Sequence, residues 1–182
     1  MQRCLMLGCG HKTPKRFLMP DLGSKKDVLD WTTLDINPDC NPDVLFDLDA
    51  IERGDKLPFP DKHFDEIHAY EVMEHYGHMG DYVGFFTGMN ELWRILVPGG
   101  NLFGTCPGTL SVWAWGDPGH RRVISSETLG YLDRRTYADL GKNSASDYRR
   151  LIDPCWWISS YEEVKETHIH FALMKEPDRM VL

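Results

Sequence analysis

The chain opens with an apolar run, Cys4-Leu5-Met6-Leu7, that stops at Gly8-Cys9-Gly10. A short apolar run bounded by glycines predicts a buried strand of a parallel sheet that ends at a ligand. In the crossover that follows, Pro14, Pro20 and Gly23 disfavour a long regular helix. Trp31-Thr32-Thr33-Leu34-Asp35-Ile36, rich in β-branched and aromatic residues, predicts a second strand, stopped by Asn37-Pro38. A third strand is expected over 43–47 and a fourth over 64–70, with a rigid turn at Leu57-Pro58-Phe59-Pro60-Asp61 between them. From Asp81 to Leu96 the pattern changes period. Tyr82, Phe85 or Phe86, Met89, Leu92, Trp93 and Leu96 recur three or four apart, which predicts a helix with one apolar face. Pro98-Gly99-Gly100 ends it and makes a turn into a fifth strand over 101–106. Residues 107–154 are the least regular. There, Ser126-Glu127-Thr128-Leu129 predicts a helix capped by Ser126 and running to about Leu140. A sixth strand over 155–161, a turn and a seventh strand over 167–174 close the chain. Ile169, Phe171 and Leu173 alternate with His168, His170 and Ala172, and the two strands are close enough to pair as an antiparallel hairpin.

Length and composition narrow this picture. The 182 residues, 42% of them hydrophobic, suit a single domain with a substantial core. The formal net charge of −8 argues against an extended nucleic-acid surface. The five cysteines are odd in number, widely spaced and contain no Cys-x-x-Cys pair, which points to a reducing cytoplasm rather than a disulfide scaffold or a zinc site. No apolar run is long enough to span a membrane. A first strand so near the start leaves no room for a signal peptide.

Candidate chemistry clusters at the predicted strand ends. Gly8 and Gly10 lack a Cβ and so permit a tight turn and close approach of a ligand. Asp35 ends the second strand, 25 residues past Gly10. An acidic residue there is placed to accept from ribose hydroxyls; the plainer reading is a turn cap. Asp47 could accept from an adenine amino group with Leu48 packed on the ring, or could belong to a polar loop. Lys12, Lys15, Arg16, Lys25 and Lys26 make the first crossover basic; either they are solvated or Lys12 or Lys15 meets a ligand carboxylate. A metal site made of His68, Glu71, His75 and His78 fails because His68 falls on a strand and the others beyond it. No metal is expected.

Three stretches in order, Leu7-Gly8-Cys9-Gly10, Phe64-Asp65-Glu66-Ile67 through Val72-Met73-Glu74-His75, and Leu92-Trp93-Arg94-Ile95-Leu96-Val97-Pro98-Gly99-Gly100, resemble a class I S-adenosylmethionine-dependent methyltransferase with a type-11-like domain. The resemblance implies an α/β, Rossmann-like seven-stranded sheet. It would be mostly parallel, with strand seven antiparallel beside strand five and helices on both faces. It implies S-adenosyl-L-methionine as cofactor and S-adenosyl-L-homocysteine as product. By this resemblance Gly8, Cys9 and Gly10 face the methionine part, Asp35 binds the ribose and Ile36 packs on adenine. Asp47 and Leu48 match the adenine contact, while Tyr70 and Glu71 lie near the methyl donor and acceptor. His75 matches a recurring histidine, with a structural helix residue as the plainer reading. Residues 107–154 take the place of an acceptor-side insertion.

The activated sulfonium requires alignment and exclusion of water, and a base only if the acceptor must lose a proton. The candidate bases are His120, Glu71 and His75. Trp113 and Trp115 form either an aromatic wall for the acceptor or part of the core. A helix before the first strand is usual in the family and has no room here. The site is therefore expected to be open, or completed by a homodimer or another partner. Arg121, Arg122, Arg134 and Arg135 could form a patch for a small nucleotide or tRNA; a small-molecule acceptor is preferred. Two other readings compete. A nicotinamide-dependent reductase would share Gly8, Gly10 and Asp35 but leaves Pro98-Gly99-Gly100 without a role. A module that binds the cofactor without catalysis, acting with a partner protein, is separated from an enzyme by a turnover assay.

Overall fold

The computed structural model describes residues 1–11, 29–138, 140–142, 145–151, 156–164 and 167–177. Lys12, Lys15, Arg16, Lys25, Lys26 and Cys155 fall outside them. Among the described residues seven strands form one sheet: β1 Gln2–Leu7, β2 Leu29–Asp35, β3 Val44–Leu45, β4 Phe64–Tyr70, β5 Leu96–Pro107, β6 Trp156–Val164 and β7 His168–Lys175. Their order is β3-β2-β1-β4-β5-β7-β6. β7 runs antiparallel to both β5 and β6, and the pairs among β1 to β5 are parallel. This is the mixed sheet expected from the sequence, with strand seven beside strand five.

The long helix, α1 Tyr82–Ile95, begins at Asp81, whose side chain accepts from the Gly84 N–H. Its stripe of Phe85, Phe86, Met89, Leu92 and Ile95 is buried with Leu5, Leu7, Ile67 and Leu102 of the sheet. Tyr82, counted in that stripe, is 54% exposed instead. The helix gives way directly to β5 at Leu96, so Pro98-Gly99-Gly100 lies inside a strand and not in a turn before one. The pairing of β4 with β5 shifts register opposite this point, between Phe64 and Glu66. A Cβ on Gly100 would stand 2.9 Å from the Asp65 and Val97 carbonyl oxygens, so only glycine fits the bulge.

Between β5 and β6 lie two short helices, α2 Val112–Gly116 and α3 Ser126–Gly130, and a 3₁₀ turn at Arg134–Tyr137. The helix expected to reach Leu140 therefore ends at Gly130. Asp133 accepts from the Arg135 N–H and starts a new turn, as short polar side chains do when they compete with the helical ladder. The cap is Ser125, not Ser126: its hydroxyl accepts from the Thr128 N–H. Trp113 and Trp115 are 65% and 73% exposed, which rules out the core reading. Each of the four arginines has a local partner, Arg121 being near Asp49. Arg134 pairs with Glu176 and Arg135 with Asp133, while Arg122 donates to the Tyr76 and Asp81 carbonyls.

Candidate functional site

The register of the parallel strands sets the site. Leu7 of β1 stands beside Leu34 of β2 and Ala69 of β4, and Asp35 stands beside Leu45 of β3. The residues next in sequence, Gly8, Asp35, Phe46-Asp47 and Tyr70-Glu71, therefore arrive together at one edge of the sheet. The strand order reverses direction between β1 and β4, which is where open α/β sheets form a crevice. A cavity of about 400 Å³ lies there, a size suited to a nucleoside-containing ligand. Of the residues singled out on the sequence, Gly8, Asp35, Ile36, Asp47, Leu48, Glu71 and His75 line it.

Local geometry explains why these residues stand open. Gly8 has φ +57°, and a Cβ there would fall 2.5 Å from Val72 Cγ2, so the turn after β1 can pass Val72 only as glycine. Asp35 is 8% exposed. One of its oxygens accepts from the Gly10 N–H at 2.8 Å and the other from the Asn37 N–H at 2.9 Å. It is thus the turn cap of the plainer reading, and each oxygen keeps a second lone pair for a further donor. Asp47 caps the 3₁₀ helix Leu48–Arg53 through the Asp49 N–H and also accepts from Arg53. Ile36, 64% exposed, forms an apolar lip. Glu71 holds φ +55°, unusual for a residue with a Cβ, while its N–H donates to the Thr105 carbonyl. Such strain persists where the surroundings over-determine it, often at sites of function.

Four expected residues stand off the cavity wall. Gly10 is engaged with Asp35. Cys9 is buried, its N–H donates to the Leu34 carbonyl, and burial with the nearby Asp35 carboxylate pushes its thiol pKa up. The Tyr70 hydroxyl lies 2.6 Å from His68 Nδ1 on the face of β4 that also carries Glu66. His120 lies behind the wall, its ring edge-on to that of His75 with centroids 4.6 Å apart.

The structure resembles solved structures of low sequence identity. One is the N-methyltransferase NodS from Bradyrhizobium japonicum WM9, with TM-score 0.55 at 12% identity over 97% of this chain and 86% of that one. Another is a SAM-dependent methyltransferase from Archaeoglobus fulgidus, with TM-score 0.55 at 15% identity over 96% of this chain and 86% of that one. The chain has the class I S-adenosylmethionine-dependent methyltransferase fold. The same fold is shared with the [4+2]-cyclase SpnF, TM-score 0.54 at 16% identity over 97% of this chain and 75% of that one. The methyltransferase fold therefore does not by itself fix the reaction, which must be argued from the site. No protein-family model matches the chain, and a search of curated proteins finds no match.

Within this methyltransferase fold the cavity also gathers residues not counted among the site residues on the sequence: Leu34, Phe46, Asp49, Val72, Tyr76 and Arg121, the last weighed there only as part of a basic patch. Asp49 accepts from the Gly77 N–H, and Arg121 donates to the Gly77 carbonyl, so the two sit at one corner. Arg121 comes from the irregular stretch after β5, where nothing in a loop sequence says which side chain turns inward. Glu74 belongs to the motif already quoted but had no assigned role. It is 2% exposed, and neither carboxylate oxygen meets a hydrogen-bond partner. Burial, with help from the Glu71 charge, pushes its pKa up to about 7. Beside it the Cys106 thiol is pushed well up, first by burial and then by Glu74.

Proposed function

We propose that the protein is a methyltransferase that takes S-adenosyl-L-methionine at this cavity and passes its methyl group to a small-molecule acceptor by direct displacement. The observation that carries the reading is the coincidence, at one edge of the sheet, of the Gly8 turn and the Asp35 carboxylate. The residues fit the cofactor. Gly8 leaves backbone where a Cβ would not fit, Asp35 keeps acceptor capacity for sugar hydroxyls, and Phe46, Leu48 and Ile36 supply apolar surface for a flat ring. When bound, the cofactor supplies a methyl group already activated by a sulfonium. The chain then has three tasks. Asp35 and Gly8 orient the nucleoside, as matched polar and backbone groups do. Asp47 and Leu48 fix the ring end. Glu71 and His75 on the opposite wall hold the acceptor and receive a proton if it has one to lose, with His120 positioned against His75.

The acidic chain and the engagement of its arginines in local pairs favour a small acceptor over an extended nucleic acid. Residues 107–154 supply the acceptor side, because they bring Arg121 to the cavity; a second copy or a partner protein completes an open face. Cys4, Cys9, Cys40 and Cys106 are free thiols, and no helix among the described residues is long and apolar enough to cross a membrane. Both suit a reducing cytoplasm.

Calorimetry with S-adenosylmethionine and S-adenosylhomocysteine tests the reading on wild type, Asp35→Asn and Asp35→Ala. Both ligands should bind the wild type, and Asp35→Ala should lose roughly 1–3 kcal/mol, the scale for charged hydrogen bonds left unmade. Asp35→Asn, which keeps an acceptor for the turn, should retain the fold and lose part of the affinity. Equal affinity in all three proteins removes Asp35 from the site. A non-catalytic binding module would bind both ligands and consume neither donor nor any acceptor in a turnover assay.

A further inference from the structure

At the cavity wall and behind it, three side chains from two distant stretches converge. Glu74, His75 and His120 each offer a ligand atom, and these atoms lie within 4.8 Å of one another. The stretches are fastened by the backbone: the Glu74 carbonyl accepts from the Arg121 N–H at 2.7 Å and from the Arg122 N–H at 3.3 Å. Around an ion at about 2.1 Å, ligand atoms sit about 3 to 3.5 Å apart, so a small closure of the three suffices.

Two features separate this cluster from chance neighbours. The first is what lacks a partner. Both Glu74 oxygens and His120 Nδ1 are buried with no hydrogen bond. The nearby guanidiniums give no relief, because Arg121 bonds to Gly77 and Arg122 to Tyr76 and Asp81. A buried carboxylate left in this way is costly unless it takes up a proton or something positive joins it. The second feature is what does have a partner. His75 Nδ1 lies 3.1 Å from the Gly119 carbonyl, which can only accept, so that nitrogen carries the proton and Nε2 keeps its lone pair. His120 Nε2 lies 3.8 Å from an Asp117 carboxylate oxygen, which leaves Nδ1, the unpartnered nitrogen, as the lone-pair atom. A histidine that binds a metal through one nitrogen is held through the other by a carbonyl or carboxylate, as His75 is by Gly119; at His120 the carboxylate stands nearby but beyond hydrogen-bond distance. The other two clusters of possible ligands differ. In Cys4–Glu66–His68 both histidine nitrogens are already engaged, by Glu66 and Tyr70. In Glu52–His78–Asp81 the His78 ring is bonded to Glu52 and is 67% exposed.

We propose that Glu74, His75 and His120 bind one divalent first-row transition metal ion. Two imidazoles and one carboxylate suit zinc, cobalt, manganese or iron(II), and they leave further positions open for water or a ligand oxygen. The set shares only His75 with the one weighed on the sequence; the fold, not spacing along the chain, brings in His120. Ion binding at these three residues does not depend on the methyl-donor reading, since it is measured without the cofactor; with the ion bound, both His75 nitrogens are engaged and Glu71 alone is left to receive a proton.

The test is titration of the chelator-treated full chain with Co²⁺, followed by its visible ligand-field absorption and by equilibrium dialysis. One Co²⁺ per chain is expected, with a rise in melting temperature. Glu74→Gln and His120→Ala should each weaken binding at least tenfold and abolish that rise, while His78→Ala should leave both unchanged. Circular dichroism without metal checks that each variant folds. If Glu74→Gln does not fold, His120→Asn alone decides. Absence of Co²⁺ uptake by the wild type, or wild-type affinity in the His120 variant, overturns the proposal. So does loss of the ion in His78→Ala, which would move it to the Glu52 cluster.

Discussion

At the scale of single residues, Gly8 and Glu74 carry the clearest consequences. Gly8→Ala combines a left-handed backbone with a methyl group 2.5 Å from Val72 Cγ2. It should cost about 2–3 kcal/mol of stability by denaturant unfolding, and Val72→Ala should recover only the steric part. Glu74 makes a prediction about pH. Its carboxyl titrates near 4.5 in the unfolded chain and about 7 in the folded one. The folded state therefore binds the extra proton between those values. Stability present below about pH 4.5 is lost as pH rises through 7, on the order of 3 kcal/mol. In chelator-treated protein, Glu74→Gln should melt higher than wild type at pH 8 and lose that advantage at pH 4.5. A parallel pH dependence in the two proteins would show that Glu74 is not the group responsible. Gly8 was legible in the sequence because an apolar run that breaks at Gly-x-Gly has few other uses. Glu74 was not, since a carboxylate after a strand reads as solvated until the fold buries it.

At the scale of elements, α1 shows how local signals and tertiary contacts divide the work. Its start is written locally: Asp81→Ala should remove the bond to the Gly84 N–H and cost about 1 kcal/mol in chemical denaturation. Its end is not. Lys175 of β7, fully buried, donates from Nζ to the Trp93 carbonyl at 2.8 Å and to the Leu96 carbonyl at 2.7 Å, and sits 3.6 Å from the Trp93 ring centroid. A cation at the final carbonyls of a helix is favourable, and this one comes from a strand near the far end of the chain. Lys175→Met should cost about 2 kcal/mol in the same experiment, leaving buried carbonyls without a donor. The short α3 teaches the converse. A start signal alone carried the expected helix to Leu140, whereas Ser125 and Asp133 cap two separate turns.

At the scale of the whole molecule, ligand binding and folding are linked. A ligand that binds only the folded chain stabilises it by about 2.7 kcal/mol at a hundred times its dissociation constant. For a chain of this size that corresponds to a melting shift on the order of 5–10 °C. S-adenosylhomocysteine should produce it in the wild type, and Asp35→Ala should show a smaller shift at the same concentration. The exposed Leu110, Val112, Trp113 and Trp115 make a contrasting case. Trp113→Ser should leave stability within about 0.5 kcal/mol, as for a surface residue; a loss of several kcal/mol would return Trp113 to the core.

The strand order was what the family resemblance implied; the strand positions, the antiparallel pairing of the last two strands and the glycine stop where the cavity opens were determined by the sequence itself. They follow from apolar runs, glycine stops and a period-two hairpin, which are local properties. Tertiary structure alone decided which loop residues meet there. Arg121 reaches the cavity and His120 reaches Glu74 because the Glu74 carbonyl captures the backbone of residues 121 and 122. A contact of that kind joins residues far apart in the chain through main-chain atoms, which every residue shares, so no side-chain pattern announces it.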